Sequence, residues 1–254
     1  MNRAKIHWIS KKSLPKKSLI LEAVPGVGNV GKILLDALAA KHPSRTIGWI
    51  LHPEFPPHAS LGGDGLVEPP KLDIKTILLP DGETIIAITG IMQPMTPAGQ
   101  YEVAESIIGL AKESDSPRLL VLAGLASEPE NRSIHVICSD EKTRRELESD
   151  DIEVSRIQPK QGMIGIAGMV LSLSPVIGAS AVGVVADTIG ASSDVLAADR
   201  MAKWIEQAFD VSLDLDLDTT KETAGKLMEE IGIEGAIDEY LGIEEKEVSS
   251  DFYV

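Results

Sequence analysis

The sequence predicts an α/β fold with a largely parallel sheet. Short apolar, β-branched segments alternate along the chain with longer amphipathic segments, which is the order of elements in α/β domains. The pair Asp81-Gly82 lies between two β-rich segments and predicts one antiparallel hairpin in that sheet. The 254 residues are 43% hydrophobic and 25% charged, so the chain has the length and the apolar content to bury a sizeable core.

The individual elements follow from local patterns. Residues 18–24 form an apolar run typical of a buried strand, and residues 30–40 carry apolar side chains at helical spacing. Asp140 is predicted to cap a helix over 140–147, and the residues 194–209 are strongly amphipathic. The other predicted elements are strands 46–51, 74–79, 84–89, 118–123 and 134–138 and a helix over 99–112.

The uncharged segment 161–186 has the nominal length of a membrane span. Pro175 at its centre would leave backbone groups unpaired in hydrocarbon, so a spanning helix is disfavoured. We predict instead a helix over 163–173, a loop at Ser174-Pro175 and a buried parallel strand over 181–186.

The net charge of -15 is concentrated toward the end of the chain. Residues 205–254 carry a net charge of -12, whereas residues 1–20 carry basic side chains and no acidic ones. Because nucleic acids and anionic lipid surfaces are bound by neutralising their charge with Lys and Arg, neither is an expected partner. The composition predicts an α/β core domain over 1–209, a helical appendage over 210–241 and a flexible acidic tail over 242–254.

The expected compartment is the cytoplasm. Cys138 is the single cysteine, so the chain cannot form an internal disulfide, which fits a reducing environment. The basic start of the chain leads into a short apolar run and Pro25 without a small-residue cleavage site, unlike a secretory signal.

A glycine-rich turn is the first candidate site. Gly26, Gly28 and Gly31 follow a predicted strand, precede a predicted helix and satisfy the G-x-G-x-x-G spacing of dinucleotide-binding proteins. With Asn29 and the nearby Phe55, they could line a cleft for a nucleotide or another small ligand. The same spacing is also typical of a tight strand-to-helix turn, and the sequence leaves both interpretations open.

A second candidate is the segment that contains His52, Glu54 and His58. Two imidazoles and a carboxylate could ligate a metal ion, and Glu54 also follows the glycine turn at the distance of a ribose-binding carboxylate. Three prolines stiffen the segment and no second cluster supplies further ligands, so a structured loop is the preferred interpretation. No nucleophile elbow, Walker lysine, zinc-protease helix or kinase signature is present, so we expect no catalytic residues, no metal and no cofactor.

The third candidate is the end of the sequence, Phe252-Tyr253-Val254. A hydrophobic residue, a penultimate tyrosine and a free carboxylate match the motif by which activators dock between α subunits of the proteasome core particle. A lysine and backbone donors can capture such a carboxylate, while the tyrosine offers an apolar ring and a hydroxyl. Two aromatic side chains at the tip of a charged tail have no core to enter, which favours partner docking.

The chain resembles the proteasome assembly chaperone 2 (PAC2) family in its archaeal form. The resemblance extends over about 19–241, and it is the order and spacing of the motifs together that make it specific. The motifs are Pro25-Gly26-Val27-Gly28-Asn29-Val30-Gly31, Glu54-Phe55-Pro56-Pro57-His58-Ala59, Gly99-Gln100-Tyr101-Glu102, Leu122-Ala123-Gly124-Leu125-Ala126, Gly162-Met163-Ile164-Gly165-Ile166-Ala167-Gly168-Met169-Val170 and Ala186-Asp187-Thr188.

The resemblance implies a three-layer α/β/α core similar to nucleoside phosphorylases, a small C-terminal helical part, and homo-oligomers without established catalysis. Some relatives are labelled ATP-grasp, but a glycine-rich loop paired with lysines and metal-binding carboxylates is not found in this sequence. Relatives with the terminal motif are expected to contact the proteasome α ring, whereas many members lack that motif.

Three functions follow as hypotheses. The first is an assembly chaperone-like or activator-like homo-oligomer that binds the proteasome α ring through Phe252, Tyr253 and Val254. The second is an enzyme that binds a nucleotide or small molecule beside the glycine turn. The third is a structural oligomer whose acidic end only increases solubility.

Overall fold

An eight-stranded mixed sheet forms the centre of the computed structural model, which describes residues 2–9, 13–62, 65–160, 162–190 and 192–217. The strand order across the sheet is β1-β3-β6-β7-β2-β8-β10-β9, and β4 and β5 form a separate two-stranded sheet. The strands are β1 Lys5–Trp8, β2 Ile20–Ala23, β3 Ser44–Leu51, β4 Ser60–Leu61, β5 Val67–Glu68, β6 Leu72–Leu78, β7 Thr84–Thr89, β8 Leu119–Ala126, β9 Ile134–Cys138 and β10 Ala181–Thr188.

Parallel pairing is confined to the middle of the sheet. β7, β2, β8 and β10 are parallel neighbours, whereas β1, β3 and β6 on one side and β9 on the other are joined by antiparallel pairs. Among the described strands the antiparallel share is therefore larger than the sequence predicted. One reason is that β1 pairs antiparallel with β3, and a run of only four residues is too short for its alternating pattern to predict a strand.

Helices cover both faces of the sheet and confirm the predicted α/β class. α1 packs with α5 on one face, and α2 packs with α4 on the other. The second face holds a continuous apolar core in which Ile20 and Val121 of the sheet meet Ile107 of α2 and Val170 of α4. The helices are α1 Val30–Lys41, α2 Pro97–Glu113, α3 Glu141–Ser149, α4 Gly165–Ile177 and α5 Val195–Phe209.

The predicted hairpin and helix starts are confirmed. β6 and β7 pair antiparallel across the turn that contains Asp81-Gly82. Asp140 accepts a hydrogen bond from the Thr143 amide (2.9 Å) at the start of α3. Asp194 accepts one from the Ala197 amide (2.9 Å) at the start of α5. A capping carboxylate satisfies one of the amides that a helix start leaves unpaired.

The prediction of a loop at Ser174-Pro175 is wrong, because α4 continues through both residues to Ile177. Pro175 lies in the last turn, where its missing amide costs one hydrogen bond rather than interrupting a long helix. The Ser174 hydroxyl donates to the Val170 carbonyl (2.6 Å), and Gly178, with φ of 82°, ends the helix. Within the described residues, none of the helices has the length and apolarity needed to cross a membrane.

The chain after α5 packs on the core as far as the structure describes it. Leu213 and Leu215 are buried, and the Leu213 carbonyl lies 2.7 Å from His42 Nε2. Further along, the Leu217 amide donates to Asp199 of α5 (3.1 Å). The predicted helical appendage beyond residue 217 and the predicted tail over 242–254 lie outside the described residues.

Candidate functional site

The glycine turn lies at the carboxyl ends of the parallel strands, the edge where open α/β sheets bind ligands. β2 ends at Ala23, and a 3-10 turn over Val27–Asn29 leads directly into α1. Gly28 (φ 64°) and Asn29 (φ 47°) both adopt the left-handed conformation. Only glycine adopts it without steric cost, and asparagine tolerates it better than most other residues.

Neighbouring strands fill the space that the glycines leave. A Cβ atom at Gly28 would lie 2.5 Å from Thr188 Oγ1 of β10, and one at Gly31 would lie 2.6 Å from the Leu122 carbonyl of β8. A Cβ at Gly124 of β8 would lie 2.1 Å from the Val27 carbonyl oxygen. Gly28, Gly31 and Gly124 are therefore required for close packing between the turn and the sheet, whereas a Cβ at Gly26 would meet only the Val24 carbonyl oxygen, at 3.8 Å.

Polar contacts join the turn to the segment before α5. Asn29 Nδ2 donates to the Ser192 carbonyl (2.7 Å), and the Asp194 amide donates to the Gly28 carbonyl (2.9 Å). The Thr188 hydroxyl donates to Asp194 Oδ2 (2.7 Å). The side chain of Asn29, a predicted ligand-binding residue, is thus engaged within the protein.

Gln93 holds a third loop against the turn. Its Nε2 donates to the Pro25 carbonyl (2.6 Å), and its Oε1 accepts from the Ile166 amide at the start of α4 (3.2 Å). Gln93 thereby connects the loops after β2 and β7 with α4. Sequence reasoning did not identify this residue, because an isolated glutamine in a loop has no distinguishing spacing.

The segment 52–58, which contains three prolines, has its His52 and Phe55 side chains buried within the protein. Phe55 is 3% exposed and belongs to the apolar core, so its ring is not available to line a cleft with Gly26 and Gly31. The Glu54 amide donates to His52 Nδ1 (3.1 Å), and His52 Nε2 lies 3.0 Å from Glu102 Oε2. With Nδ1 as acceptor, the imidazole proton is on Nε2 and is donated to the carboxylate.

Glu102 is the centre of a charged cluster. It accepts from the Arg3 backbone amide (2.6 Å) as well as from His52, and Arg3 also pairs with Glu54 (2.7 Å). The hydrogen bond from His52 and the contacts with Arg3 lower the pKa of Glu102 to about 2. The cluster joins the residues before β1, the segment 52–58 and α2. In the described ranges, no group of three or more His, Cys, Asp or Glu side chains is arranged to hold a metal.

The lowered pKa of Glu102 predicts the direction of a pH effect. A carboxyl whose folded pKa lies below its unfolded value of 4.5 stabilises the fold above pH 4.5, and this contribution is lost as the pH falls toward 2. Glu102→Gln should therefore lower the urea midpoint at pH 7, and its difference from wild type should shrink as the pH falls from 4.5 to 3. Glu128→Gln, at an exposed position, is the matched control. A difference that does not change with pH would contradict the assignment.

A second histidine and carboxylate pair connects the last two strands of the sheet. His135 Nε2 lies 3.1 Å from Asp187 Oδ1, and the Ser133 amide donates to Asp187 Oδ2 (3.0 Å). Cys138 lies three residues further along β9 and so faces the opposite side of the sheet. Burial raises the pKa of its thiol to about 11. The cysteine therefore does not supply an ionised nucleophile to this pair at neutral pH.

Glu22 was not identified from the sequence either. It is fully buried on β2, on the face covered by α2 and α4, beside Ile88 and Val121 of the neighbouring strands. Neither of its carboxyl oxygens has a hydrogen-bond partner in the described part of the chain. Burial raises the pKa of Glu22 to about 8, so the carboxyl is mostly protonated at neutral pH.

The sheet order and the close-packed glycine turn define a three-layer α/β protein, and comparison assigns its family. The chain belongs to the PAC2 family, whose model matches residues 20–232. An uncharacterized protein of Methanocaldococcus jannaschii, MJ1210, is 24% identical over 177 residues, which cover 69% of this chain and 67% of that protein.

Solved structures have the same fold at low sequence identity. PbaB of Pyrococcus furiosus, described as an archaeal proteasome activator, has a TM-score of 0.74 at 19% identity, covering 93% of this chain and 100% of PbaB. PbaA of the same organism, an archaeal homologue of proteasome-assembly chaperone, has a TM-score of 0.70 at 20% identity, covering 90% and 94%. The Mycobacterium tuberculosis proteasome-assembly chaperone homologue Rv2125 has a TM-score of 0.63 at 15% identity, covering 84% and 94%.

Proposed function

We propose that this protein is a cytoplasmic, non-enzymatic homo-oligomer that binds the α ring of the proteasome core particle through Phe252, Tyr253 and Val254. The observation that carries the proposal is the hydrophobic-Tyr-any ending of the sequence in a chain that belongs to the PAC2 family. The structural similarity to an archaeal proteasome activator and to a chaperone homologue supports it. The terminal residues lie outside the described part of the chain.

The chemistry of the last residues fits carboxylate capture between two subunits. Val254 would offer its carboxylate to a lysine and to backbone amides, and Tyr253 would place its ring in an apolar groove with its hydroxyl at a polar edge. Four of the eight residues before them, 244–251, are acidic, with Glu244, Glu245 and Glu247 close together. Repulsion among like charges favours an extended segment that presents its end to a partner.

Several tails on one oligomer would act together. A single three-residue contact is weak, but once one tail has bound, the others face their sites at a high effective concentration. Affinity for the α ring should therefore depend on the number of tails that one assembly presents. A homo-oligomer presents several tails at once, which a single chain cannot do.

The described core favours a scaffold over the nucleotide-binding alternative. Thr188 and Leu122 fill the space on the sheet side of Gly28 and Gly31, and the side chain of Asn29 is hydrogen bonded to the segment before α5. A ligand that used the Asn29 side chain would have to displace that hydrogen bond. We therefore propose no second function at this turn.

Removal of the last three residues tests the proposal. Full-length protein should be retained by immobilised archaeal proteasome core particle, and the truncated protein should bind at least tenfold more weakly. Tyr253→Ala should reproduce most of that loss. Tyr240→Ala is the matched control, since it removes another tyrosine of the same C-terminal region and should bind like wild type.

A second variant tests the carboxylate separately. Two glycines added after Val254 keep all three side chains but move the carboxylate, so binding should fall as it does on truncation. Equal retention of full-length, truncated and extended proteins would refute tail docking. Peptide hydrolysis by the intact core particle and assembly of its purified subunits would then distinguish an activator from an assembly chaperone.

A further inference from the structure

The strand β9 lies at one edge of the eight-stranded sheet and pairs with β10 on one side. The Ser133 carbonyl accepts a hydrogen bond from β10 (2.9 Å), and the Ser139 amide donates one to β10 (3.0 Å). In an antiparallel pair, alternate residues direct their backbone groups toward the partner strand. Ile134 and Val136 therefore direct their amides and carbonyls toward the free edge of the sheet.

Only part of this free edge is covered by the chain itself. The Val136 carbonyl accepts a hydrogen bond from the Ser155 amide (2.8 Å). In the part of the chain that the structure describes, the amide and the carbonyl of Ile134 have no hydrogen-bond partner. An unpaired strand edge can pair with an extended segment of another protein.

A cavity of about 560 Å³ lies beside Ile134. Residues 133–136 form one wall, residues 150–155 form the second, and Trp204 and Gln207 of α5 contribute to the third. This volume is within the range of about 300–1,000 Å³ that is typical of binding pockets. The unpaired backbone of β9 and the side chains of α5 therefore face one shared space.

The lining of the cavity is acidic. It contains Asp150, Asp151 and Glu153, and among the described residues no lysine or arginine lines it. Asp150 pairs with Arg118 (3.4 Å). Asp151 and Glu153 are exposed and have no ion pair within the described residues. Because the two carboxylates are not neutralised by the described chain, charge complementarity favours a cationic occupant.

The arginines of the surrounding elements are directed elsewhere. Arg200 of α5 donates to the Asp187 carbonyl (2.7 Å), and Arg156 pairs with Glu148 (2.7 Å). Arg132 precedes β9, and strand alternation places it on the face opposite to that of the neighbouring serine and histidine in the lining. None of these three side chains lines the cavity.

His135 is the remaining titratable group of the lining. Its Nε2 donates to the buried Asp187 carboxylate (3.1 Å), so Nδ1 of the neutral ring is an acceptor. A guanidinium group has donors and no acceptor, so it is compatible with this ring.

An aromatic ring in the lining favours arginine among the possible cations. The Trp204 ring packs nearly perpendicular to the Phe209 ring, with 5.6 Å between the centroids. The Phe209 ring already holds the Arg118 guanidinium (4.9 Å), which also pairs with Asp150. Trp204 and the two exposed carboxylates offer a second guanidinium the same combination of ring and carboxylate.

We propose that this surface docks an extended segment of a partner protein that carries an arginine. We refer to Ile134, Asp151, Glu153 and Trp204 together as the β9 cleft. One residue of the segment pairs with the amide and the carbonyl of Ile134. Strand alternation then directs the next side chain, the arginine, toward α5, where it contacts Trp204 and the two carboxylates. Backbone pairing supplies affinity, and the arginine supplies specificity.

A peptide on the full-length wild-type protein tests the site. The probe is dye-labelled Thr-Val-Arg-Val-Thr with blocked ends, and binding is measured by fluorescence anisotropy. Citrulline in place of arginine keeps the shape and removes the charge, so binding should weaken at least fivefold. N-methylation of both valines removes the donors to the Ile134 carbonyl and should weaken binding at least threefold. These changes leave the protein unaltered, so misfolding cannot account for a loss.

A variant of the cleft tests the same contact from the protein side. Asp151→Asn with Glu153→Gln should weaken the arginine peptide at least fivefold and leave the citrulline peptide little changed. Glu113→Gln with Asp115→Asn is the matched control, because it removes two exposed charges at the same spacing outside the cleft and should bind like wild type. Asp115 and Asp151 both have positive φ (54° and 59°), which asparagine also adopts.

Three results would overturn the proposal. One is equal affinity of wild type for the arginine and citrulline peptides, or no binding of the arginine peptide up to about 1 mM. Another is unchanged affinity in the cleft variant. The third is that acetyl-arginine amide binds as tightly as the peptide, which would reduce the site to a pocket for a free cation. The protein without its last three residues should bind the peptide like full-length protein, so the outcome is independent of tail docking.

Discussion

Glu22→Gln is expected to remove a large pH-dependent loss of stability. Burial raises the pKa of Glu22 in the folded protein to about 8, and its pKa in the unfolded chain is 4.5. Between pH 4.5 and pH 8 the folded protein therefore keeps a proton on Glu22 that the unfolded chain has released. The free energy of unfolding of wild type therefore falls as the pH rises from 4.5 to 8, on the order of 4 kcal/mol from this group. Glutamine keeps the shape and stays neutral, so the variant should lack this loss.

The measurement is urea unfolding of both proteins between pH 5 and 9. The two should have similar stability near pH 5, since protonated glutamate and glutamine are both neutral, and the variant should be clearly more stable at pH 8. The many exposed carboxylates change with pH in both proteins, so the difference between the two curves isolates Glu22. Glu128→Gln should follow wild type throughout. Parallel curves for Glu22→Gln and wild type would show that the buried carboxyl is not the cause.

Gly124→Ala is expected to destabilise the fold by about 3 kcal/mol, because overpacking in a close-packed region forces the backbone to shift. The added Cβ would lie 2.1 Å from the Val27 carbonyl oxygen, and a backbone atom cannot move aside as the end of a flexible side chain can. The same methyl group would also lie 3.0 Å from Thr188 Cγ2. The cost arises where the glycine turn meets β8 and β10.

Gly109→Ala makes the same chemical change where there is room for it. Gly109 lies inside α2 with nothing within 4 Å of the added Cβ, so the substitution should stabilise the protein by up to about 1 kcal/mol through helix propensity. The urea midpoints of the two variants should therefore move in opposite directions. Equal midpoints would contradict the close packing of the turn.

Elements with strong local signals were predictable from the sequence. The apolar spacing in α1 and α5, the turn at Asp81-Gly82 and the cap at Asp140 each depend on a few neighbouring residues, and the structure confirms them. The prediction failed where the local signal was ambiguous. A proline within an apolar segment predicts a helix break, because the sequence does not show where the helix ends. Pro175 lies in the last turn of α4, where its missing amide costs only one hydrogen bond.

The sequence by itself determined the α/β class, the PAC2 signature motifs, the uneven charge and the Phe252-Tyr253-Val254 ending, because each of these is a matter of composition, order or local spacing. Only the tertiary structure shows how closely the glycine turn packs on the sheet. The spacing of Gly26, Gly28 and Gly31 fits either a cofactor or close packing, and the atoms that lie against Gly28 and Gly31 come from Thr188 and Leu122, far along the chain. The burial of Glu22 and Phe55 likewise arises only once distant segments are folded together, since burial and exposure are properties of the fold and not of the spacing.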